Sequence, residues 1–256
     1  MNDQDVKVDI RGYVAWVTID RPDRMNALAK STFAQLLEAC VTLDQDSNVR
    51  VIVFTGAGTR AFSAGVDLKE VDQNHKMVDP MGGTTRNLNE VVMELSKPTI
   101  AAINGVAAGG GCELALACDI RIGAESARIG LPEAKVGMGA NFGSVLLPRL
   151  IPRGLALELL FTGDLLDMSS AQRLGIINRV VPSKDLLEEV AILANKIADN
   201  APLTVQRMKA VAFKSCGLPI ASALRLSVGP NPYNSEDRIE GARAFVEKRK
   251  PNFQGR

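Results

Sequence analysis

The sequence predicts an α/β fold, because short apolar segments typical of buried strands alternate with segments of helical periodicity over residues 1–182. From Ser183 onward the pattern is wholly helical. The 256 residues are 46% hydrophobic, which suffices for one large domain or two small ones around a sizeable core. We therefore divide the chain into an α/β core, residues 1–182, and a helical C-terminal region, residues 183–256.

Two strands are predicted to open the fold, at Val6–Ile10 and Tyr13–Ile19, with Arg11-Gly12 between them as a hairpin turn. Arg21-Pro22 ends the second strand. Ser31 is then placed to cap a helix whose apolar residues recur at helical spacing, namely Phe33, Leu36, Leu37, Cys40 and Val41.

The middle of the chain continues this alternation between strands and helices. A polar stretch from Lys69 to Thr85 interrupts it, and Lys97-Pro98 ends the helix that follows. The predicted elements are a strand at Val49–Phe54, a helix to about Leu95, a strand at Pro98–Ile103, an apolar helix to Cys118, a strand at Asp119–Ile122 and a loop at Ile129–Glu133.

The C-terminal region is predicted to hold three helices. Ser183 caps a helix over residues 184–199, Pro202 opens another, and Ser235 caps a last one that runs to Arg249. The apolar face of the first of these fits either the core of the chain itself or a partner subunit.

Composition excludes several classes of function. With 30 basic and 29 acidic residues the net charge is +1, so no global field favours nucleic acid or an anionic membrane. No apolar stretch approaches the length of a membrane span, and the polar N-terminus does not resemble an export signal. The cysteines form no C-x-x-C pair, which indicates reduced thiols, no metal site and a cytoplasmic protein. The single histidine, His75, lies in a polar segment, which argues against histidine-based catalysis.

A run of three glycines, Gly109 to Gly111, delivers the backbone into an apolar helix interrupted by one carboxylate, Glu113. Glycines at a helix start let bare N–H groups approach a ligand oxygen, and the helix N-terminus adds positive potential there. The sequence therefore predicts an oxygen-binding site in which Gly110 donates.

A second glycine-bearing turn, Phe62 to Lys69, follows the buried strand and could supply a second main-chain donor to the same oxygen. A plain strand-to-helix connection is the alternative interpretation. The glycines of Gly56 to Ala61 also match a dinucleotide-binding pattern, but no long helix begins there and no acidic residue closes a next strand.

Two carboxylates are candidates for acid and base catalysis. Glu113 lies among small apolar residues, where an unpaired carboxylate is costly to bury. Glu133 follows one helix and one strand later, so the chain can return to present it opposite Glu113. The alternatives are that Glu113 only interacts favourably with the helix dipole or caps free amides, and that Glu133 is a surface residue.

Several further motifs occur in order over nearly the whole chain. They are Arg21-Pro22 with Asn26-Ala27-Leu28, Ala61 to Glu70, Lys97-Pro98 through Ala115, Asp119, Leu131-Pro132-Glu133, Thr162-Gly163, Ala171, Gly175 and Glu240 to Arg249. Together they resemble the crotonase, or enoyl-CoA hydratase/isomerase, superfamily, and most of all its enoyl-CoA hydratases.

The resemblance implies a spiral of ββα units, a helical C-terminal region used in trimer formation, and often a hexamer of two trimers. By position, the N–H groups of Val66 and Gly110 form an oxyanion hole for the carbonyl of an acyl-CoA thioester. Glu113 and Glu133 together hold a water for attack at C3, and Glu133 handles the proton at C2.

Coenzyme A is then part of the substrate, and no separate cofactor and no metal are implied. Main-chain groups around Ala64 meet the adenine, and Lys69 meets the phosphates, although a solvated helix-face lysine is the alternative there. The residues expected to contact coenzyme A are Arg24, Ala64, Asp67, Leu68, Lys69 and Lys248, the last in a pocket between subunits.

Three segments depart from the hydratase pattern. Residues 137–149 replace a stretch ending in Gly-Thr-Gln-Arg, Leu131 replaces a frequent glutamine, and Gly229 to Tyr233 replace a phenylalanine-rich segment. We expect an enoyl-CoA hydratase-type lyase. A carnitinyl-CoA dehydratase-like enzyme, an isomerase, a thioester hydrolase, a non-catalytic RNA-binding relative and an NAD-dependent enzyme remain alternatives. The acyl chain length depends on a predicted lid, Val71 to Asn87.

Overall fold

The computed structural model of the protein describes residues 4–70 and 86–256. Its strands, in chain order, are β1 (Val6–Arg11), β2 (Val14–Ile19), β3 (Val51–Gly56), β4 (Ala61–Ser63), β5 (Thr99–Ile103), β6 (Val106–Ala108), β7 (Ile120–Ala124), β8 (Arg128–Gly130), β9 (Leu166–Asp167) and β10 (Arg179–Val181).

Helices follow these strands or connect them. The α-helices are α1 (Lys30–Gln45), α2 (Leu88–Glu94), α3 (Gly110–Ala117), α4 (Asn141–Leu150), α5 (Arg153–Thr162), α6 (Met168–Arg173), α7 (Leu186–Ala198), α8 (Pro202–Lys214), α9 (Ile220–Ala223) and α10 (Glu236–Glu247). Single 3₁₀ turns occupy Pro22–Arg24, Pro132–Val136, Ser183–Asp185 and Pro232–Asn234.

The strands form two sheets. The larger sheet has the order β1-β2-β3-β5-β7-β10, and the smaller has the order β4-β6-β8-β9. The predicted hairpin is present, since β1 and β2 pair antiparallel with Val6 opposite Ile19. The remaining neighbours in the larger sheet are parallel, and in the smaller sheet only β8 and β9 run antiparallel.

Successive strand pairs build a spiral. In β3/β4, β5/β6 and β7/β8, the first strand joins the larger sheet and the second joins the smaller. Helical residues follow each pair, at 68–70, at α3 and at the 3₁₀ turn before α4. This repeat confirms the α/β fold and the spiral of ββα units.

The core lies between the larger sheet and the helices packed on it. Every residue of β3 and β5 is buried, as expected of parallel strands covered on both faces. Helix α1 packs on β1 and β2, while α7 packs on β2, β3, β5 and β7. The buried side of α7 carries Leu186, Val190, Ala194 and Ala198, so the first C-terminal helix serves the core of the chain itself.

Three local predictions were wrong. Helix α1 begins at Lys30 with Ala29 at its N-cap, and the Ser31 hydroxyl donates instead to Asp5 at 2.6 Å. Ser183 caps no helix, because its hydroxyl pairs with that of Ser126 at 2.8 Å and α7 starts only at Leu186. In each case a tertiary partner takes the hydroxyl that a cap would use.

The third error is the loop predicted at Ile129–Glu133, where β8 runs through Arg128–Gly130 before the 3₁₀ turn. The short strands of the smaller sheet give too few residues for a periodic pattern. The last helix is capped by Ser235, whose Oγ accepts from the Arg238 N–H at 3.1 Å, and Pro202 opens α8, as predicted.

The smaller sheet fixes the positions of the two predicted main-chain donors. Strands β4 and β6 are parallel neighbours, so their carboxyl ends meet at one edge. Each of these strands leads directly into one of the two glycine-bearing turns. The two predicted donors, 44 residues apart in the chain, are thereby brought side by side.

Candidate active site

The three glycines at the start of α3 each meet a different steric demand. Gly109 is the N-cap with φ 54° and ψ −127°, a conformation that residues with a Cβ rarely adopt. A Cβ on Gly111 would lie 2.2 Å from the Ser63 carbonyl oxygen, so α3 starts in direct contact with β4. Gly110, between them, presents the first N–H of the helix.

The second turn brings Val66 beside Gly110. Gly65 has φ 89°, and a Cβ there would lie 3.0 Å from the Gly110 nitrogen. A Cβ on Gly110 would in turn lie 3.7 Å from the Val66 nitrogen. The Val66 and Gly110 amides can lie side by side because Gly65 and Gly110 have no side chains that would separate the two turns.

The hydrogen bonds around Val66 and Gly110 do not use the N–H groups of these two residues. The bridge between Leu28 and Val66 uses the Leu28 N–H to the Gly65 carbonyl, 2.7 Å, and the Asp67 N–H to the Leu28 carbonyl, 3.0 Å. Gly110 is the first residue of α3, whose first-turn N–H groups have no acceptor within the helix. Over residues 4–70 and 86–256, neither amide has a recorded protein acceptor.

Glu113 lies one turn into α3, and its carboxylate occupies the start of α4. The Gly143 N–H donates to Glu113 Oε1 at 2.9 Å, and the Phe142 N–H also bonds to this carboxylate. The N-cap of α4 is Ala140, which has no side chain for capping, so Glu113 acts as the cap from another helix. Asn89 Nδ2 approaches Glu113 Oε2 at 3.4 Å from α2.

Glu133 lies beside Gly109, the N-cap of the helix that carries Glu113, and its charge acts on Glu113. The Glu113 N–H donates to the Gly109 carbonyl at 2.9 Å, and Glu133 Oε1 lies 3.4 Å from where a Gly109 Cβ would be. Glu133 is only 8% exposed, and its Oε2 is buried with no hydrogen-bond partner in the described part of the chain. A buried carboxylate oxygen without a partner is costly unless a ligand or water meets it.

Burial changes the protonation of both glutamates. Desolvation, with a smaller contribution from the nearby charge of Glu133, raises the pKa of Glu113 to about 7, although the Gly143, Phe142 and Asn89 donors act to lower it. Desolvation also raises the pKa of Glu133 above its usual range. A pair of carboxyls with raised pKa values can hold a proton near neutral pH and exchange it with a substrate.

The sequence departures at Leu131 and residues 137–149 lie against this pair. Leu131 is 2% exposed, and a Cβ on Gly143 would lie 2.5 Å from its Cδ1. Leu131 therefore packs on the residue whose N–H holds Glu113. Leu131 thus makes an apolar contact at the position where the hydratase pattern often has a polar glutamine.

The residues expected to contact coenzyme A lie outside the carboxylate pair. Arg24, Ala64, Leu68, Lys69 and Lys248 are exposed. The Asp67 side chain is 8% exposed and pairs with Arg21 Nη2 at 3.1 Å, so its carboxylate is not open to a ligand.

Some site residues were not predicted from the sequence. They are Asn89 and the amides of Phe142 and Gly143, and no local pattern marks them, because they reach Glu113 from helices 24 to 30 residues away. His75 and most of the predicted lid lie outside the described residues. In the part of the chain that the structure describes, no cluster of side chains could hold a metal ion, and no helix could cross a membrane.

Comparisons with known proteins agree on one family. The family model described as "Enoyl-CoA hydratase/isomerase" matches residues 9–256. A crotonyl-CoA hydratase from Syntrophomonas wolfei is 36% identical over 94% of each chain, and a carnitinyl-CoA dehydratase from Salmonella typhi is 39% identical over 96% of each. A crystal structure of an enoyl-CoA hydratase from Bacillus anthracis superimposes with TM-score 0.90 and 34% identity, covering 99% of this chain and 100% of that one.

Proposed function

The chain belongs to the enoyl-CoA hydratase/isomerase family, and on that premise we propose that it adds water reversibly to a 2-enoyl-CoA thioester. The observation that carries this proposal is the buried Glu133 Oε2, which has no partner among the described residues, on a side chain that lies beside Gly109 at the start of the helix that carries Gly110 and Glu113. An acid, a base and an oxyanion hole are the groups that hydration through an enolate requires.

The oxyanion hole consists of the Val66 and Gly110 N–H groups. The thioester carbonyl oxygen accepts from both, and the α3 N-terminus adds positive potential where negative charge develops. Removal of one such donor typically lowers the rate by roughly 10²–10³.

The two glutamates divide the proton transfers. Glu113, ionised, receives a proton from the water whose oxygen bonds to C3. The electron pair of the C2–C3 double bond moves through C2 to the carbonyl oxygen, giving the enolate. Glu133, protonated, then delivers a proton to C2 as the enolate collapses. Dehydration is the reverse of these steps.

Coenzyme A is bound as part of the substrate, and the reaction needs no separate cofactor or metal. Main-chain groups of the segment that runs from Ala64 through Asp67 to Leu68 bind the adenine, and Ala64 and Leu68 are exposed there. The exposed cations Lys69 and Arg24 suit the phosphates, and Lys248 completes the pocket of a neighbouring subunit.

The chain functions as a homotrimer, or as a hexamer of two trimers, in the cytoplasm. Large apolar side chains are exposed on the C-terminal half, including Phe161, Ile220, Leu224, Phe245 and Val246 at 74–86%. Such a set of exposed apolar residues is typical of a subunit interface.

A carnitinyl-CoA dehydratase-like activity is the second candidate. It is favoured by the 39% identity to proteins of that name and by the departures at residues 137–149, which adjoin Glu113. An isomerase or a thioester hydrolase is a more distant alternative. The two facing carboxylates and the near-neutral charge speak against a non-catalytic RNA-binding protein.

The proposal is tested with Glu133→Gln, measured by the loss of conjugated-thioester absorbance from crotonyl-CoA. We expect kcat to fall by roughly 10³ because the proton donor to C2 is removed while the shape is kept. The matched control is Glu38→Gln, an exposed glutamate on α1, which should leave the rate unchanged. A wild-type rate in Glu133→Gln would disprove the two-carboxylate mechanism. A panel of enoyl-CoA thioesters that includes a carnitinyl derivative separates the two candidate activities.

A further inference from the structure

The Glu113 carboxylate is held by donors from two different helices. From α4, the Gly143 N–H bonds to Oε1 at 2.9 Å, and from α2, Asn89 Nδ2 approaches Oε2 at 3.4 Å. A donor on each oxygen opposes rotation of the carboxylate about its terminal torsion, which is otherwise broad. The plane of the carboxylate therefore depends on both contacts.

We propose that Asn89 is a positioning residue, which fixes the orientation of the ionised Glu113 carboxylate for proton transfer from water. This inference rests on the proposed hydration reaction and assigns to α2 a part in it.

Helix α2 is well fixed for this task. At its start the Asn87 side chain accepts from the Glu90 N–H at 3.0 Å, and Glu90 Oε2 accepts from the Asn87 N–H at 2.8 Å, which forms a capping box. Leu88 and Val92 are buried at 3% and 0%, and the helix packs against α3, which carries Glu113. A rigid support of this kind is what a positioning side chain needs.

The chemistry around Glu113 explains why an amide suits position 89. Among the described residues, the charged group that faces Glu113 is Glu133, while α4 contributes only the Phe142 and Gly143 N–H groups and α3 adds the buried Cys112 thiol. A neutral donor stabilises the ionised carboxylate without adding a charge. An aspartate at 89 would add a second like charge, and a leucine would leave Oε2 without this donor.

The test is the pH dependence of crotonyl-CoA hydration between pH 5 and 9 for the wild type and for Asn89→Leu, Asn89→Asp and Asn89→Gln. For Asn89→Leu we expect kcat at pH 7 to fall about tenfold with KM changed less than twofold, because the change acts on the base and not on thioester binding. The acidic limb of the profile of kcat against pH should move to higher pH by about half a pH unit to one pH unit. Asn89→Asp should move it further, and Asn89→Gln, which keeps the amide, should recover most of the rate.

The control is Glu94→Gln on the same helix, an exposed residue that pairs with Arg86 and does not contact Glu113. It should match the wild type in rate and pH profile. Thermal unfolding shows whether each variant folds. If Asn89→Leu does not fold, the nearly isosteric Asn89→Asp decides the question by the same kcat and pH readouts.

An acidic limb that stays in place in the folded variants would overturn the proposal, as would a loss confined to KM. A wild-type protein that hydrates no enoyl-CoA would instead contradict the proposed function, and the positioning role with it. The two failures are distinguishable because only the second affects the unmutated chain.

Discussion

The two glutamates of the site differ in how their carboxyl oxygens are held. Glu113 is bound by main-chain amides at the start of α4 and by Asn89, whereas one buried oxygen of Glu133 has no partner within residues 4–70 and 86–256. The three donors to Glu113 lower its pKa against the rise that burial causes, whereas for Glu133 burial is opposed only by a backbone N–H. This contrast in surroundings is what the proposed division of roles between two identical side chains requires.

The raised pKa of Glu113 has a consequence for stability. Between the ordinary value of 4.5 and about 7, the unfolded chain has lost the proton that the folded chain retains. The folded state then binds more protons than the unfolded state, so stability falls as pH rises across this interval. Glu113→Gln removes this titration, and the wild type should lose about 3 kcal/mol relative to the variant between pH 4.5 and 7.5.

Chemical unfolding of both proteins at several pH values and equal protein concentration measures this difference. The free energies of unfolding of the wild type and of Glu113→Gln should diverge as pH rises, and their difference should become constant above the pKa of Glu113. Parallel curves over the whole range would show that Glu113 titrates normally in the folded protein.

At the scale of elements, the site is built by two parallel strands of the smaller sheet. Strands β4 and β6 end together, and their glycine-bearing turns hold Val66 and Gly110 side by side. The contact of Gly111 with the Ser63 carbonyl ties the start of α3 to β4. The position of the two proposed oxyanion-hole donors therefore depends on the close packing of backbone on backbone.

Gly111→Ala tests this dependence. A Cβ placed 2.2 Å from the Ser63 oxygen must push α3 away from β4, and a shift of the Gly110 N–H should lower kcat about 100-fold or more. The melting temperature should also fall. Gly154→Ala on α5 is the matched control, because a Cβ there meets no atom of the described residues within 4 Å.

Gly154→Ala should keep full activity and melt at the same or a slightly higher temperature, since alanine is the better helix former. If Gly111→Ala behaved like Gly154→Ala, the packing of α3 on β4 would not determine the oxyanion hole.

At the scale of the whole molecule, the C-terminal region divides its apolar residues between two uses. Helix α7 buries its apolar face on the larger sheet. The later helices leave large side chains exposed, with Phe245 at 86% and Ile220 at 79%. Exposure on this scale in an isolated chain is what a subunit interface would cover.

We therefore expect light scattering to give about three or six times the chain mass of 27.4 kDa. Phe245→Asp and Ile220→Asp, tested separately, should lower the measured mass, because a charge would have to be buried at the interface. Both side chains are exposed in the single chain, so neither change should unfold it. A wild-type mass equal to one chain would contradict the proposed trimer.

Much of the molecule could be predicted from sequence. The α/β class, the opening hairpin, the strands at β3, β5 and β7 and the helix after the glycine run follow from local periodicity, and all are confirmed. The crotonase family, which the order of motifs predicted, is confirmed by the comparisons, and the similar proteins include ones named as hydratases. The catalytic roles of Glu113, Glu133, Val66 and Gly110 remain predictions, although the structure brings these four residues together.

Local sequence by itself determined the longer strands and helices, because hydrophobic periodicity is a property of neighbouring residues. Only the tertiary structure decided that Asn89, Phe142 and Gly143 hold Glu113, that Ser31 and Ser183 cap nothing, and that β4, β6 and β8 form a second sheet. The physical reason is the same in each case. These outcomes depend on hydrogen bonds between groups far apart in the chain, and a donor or acceptor in one segment carries no mark of which distant partner will satisfy it.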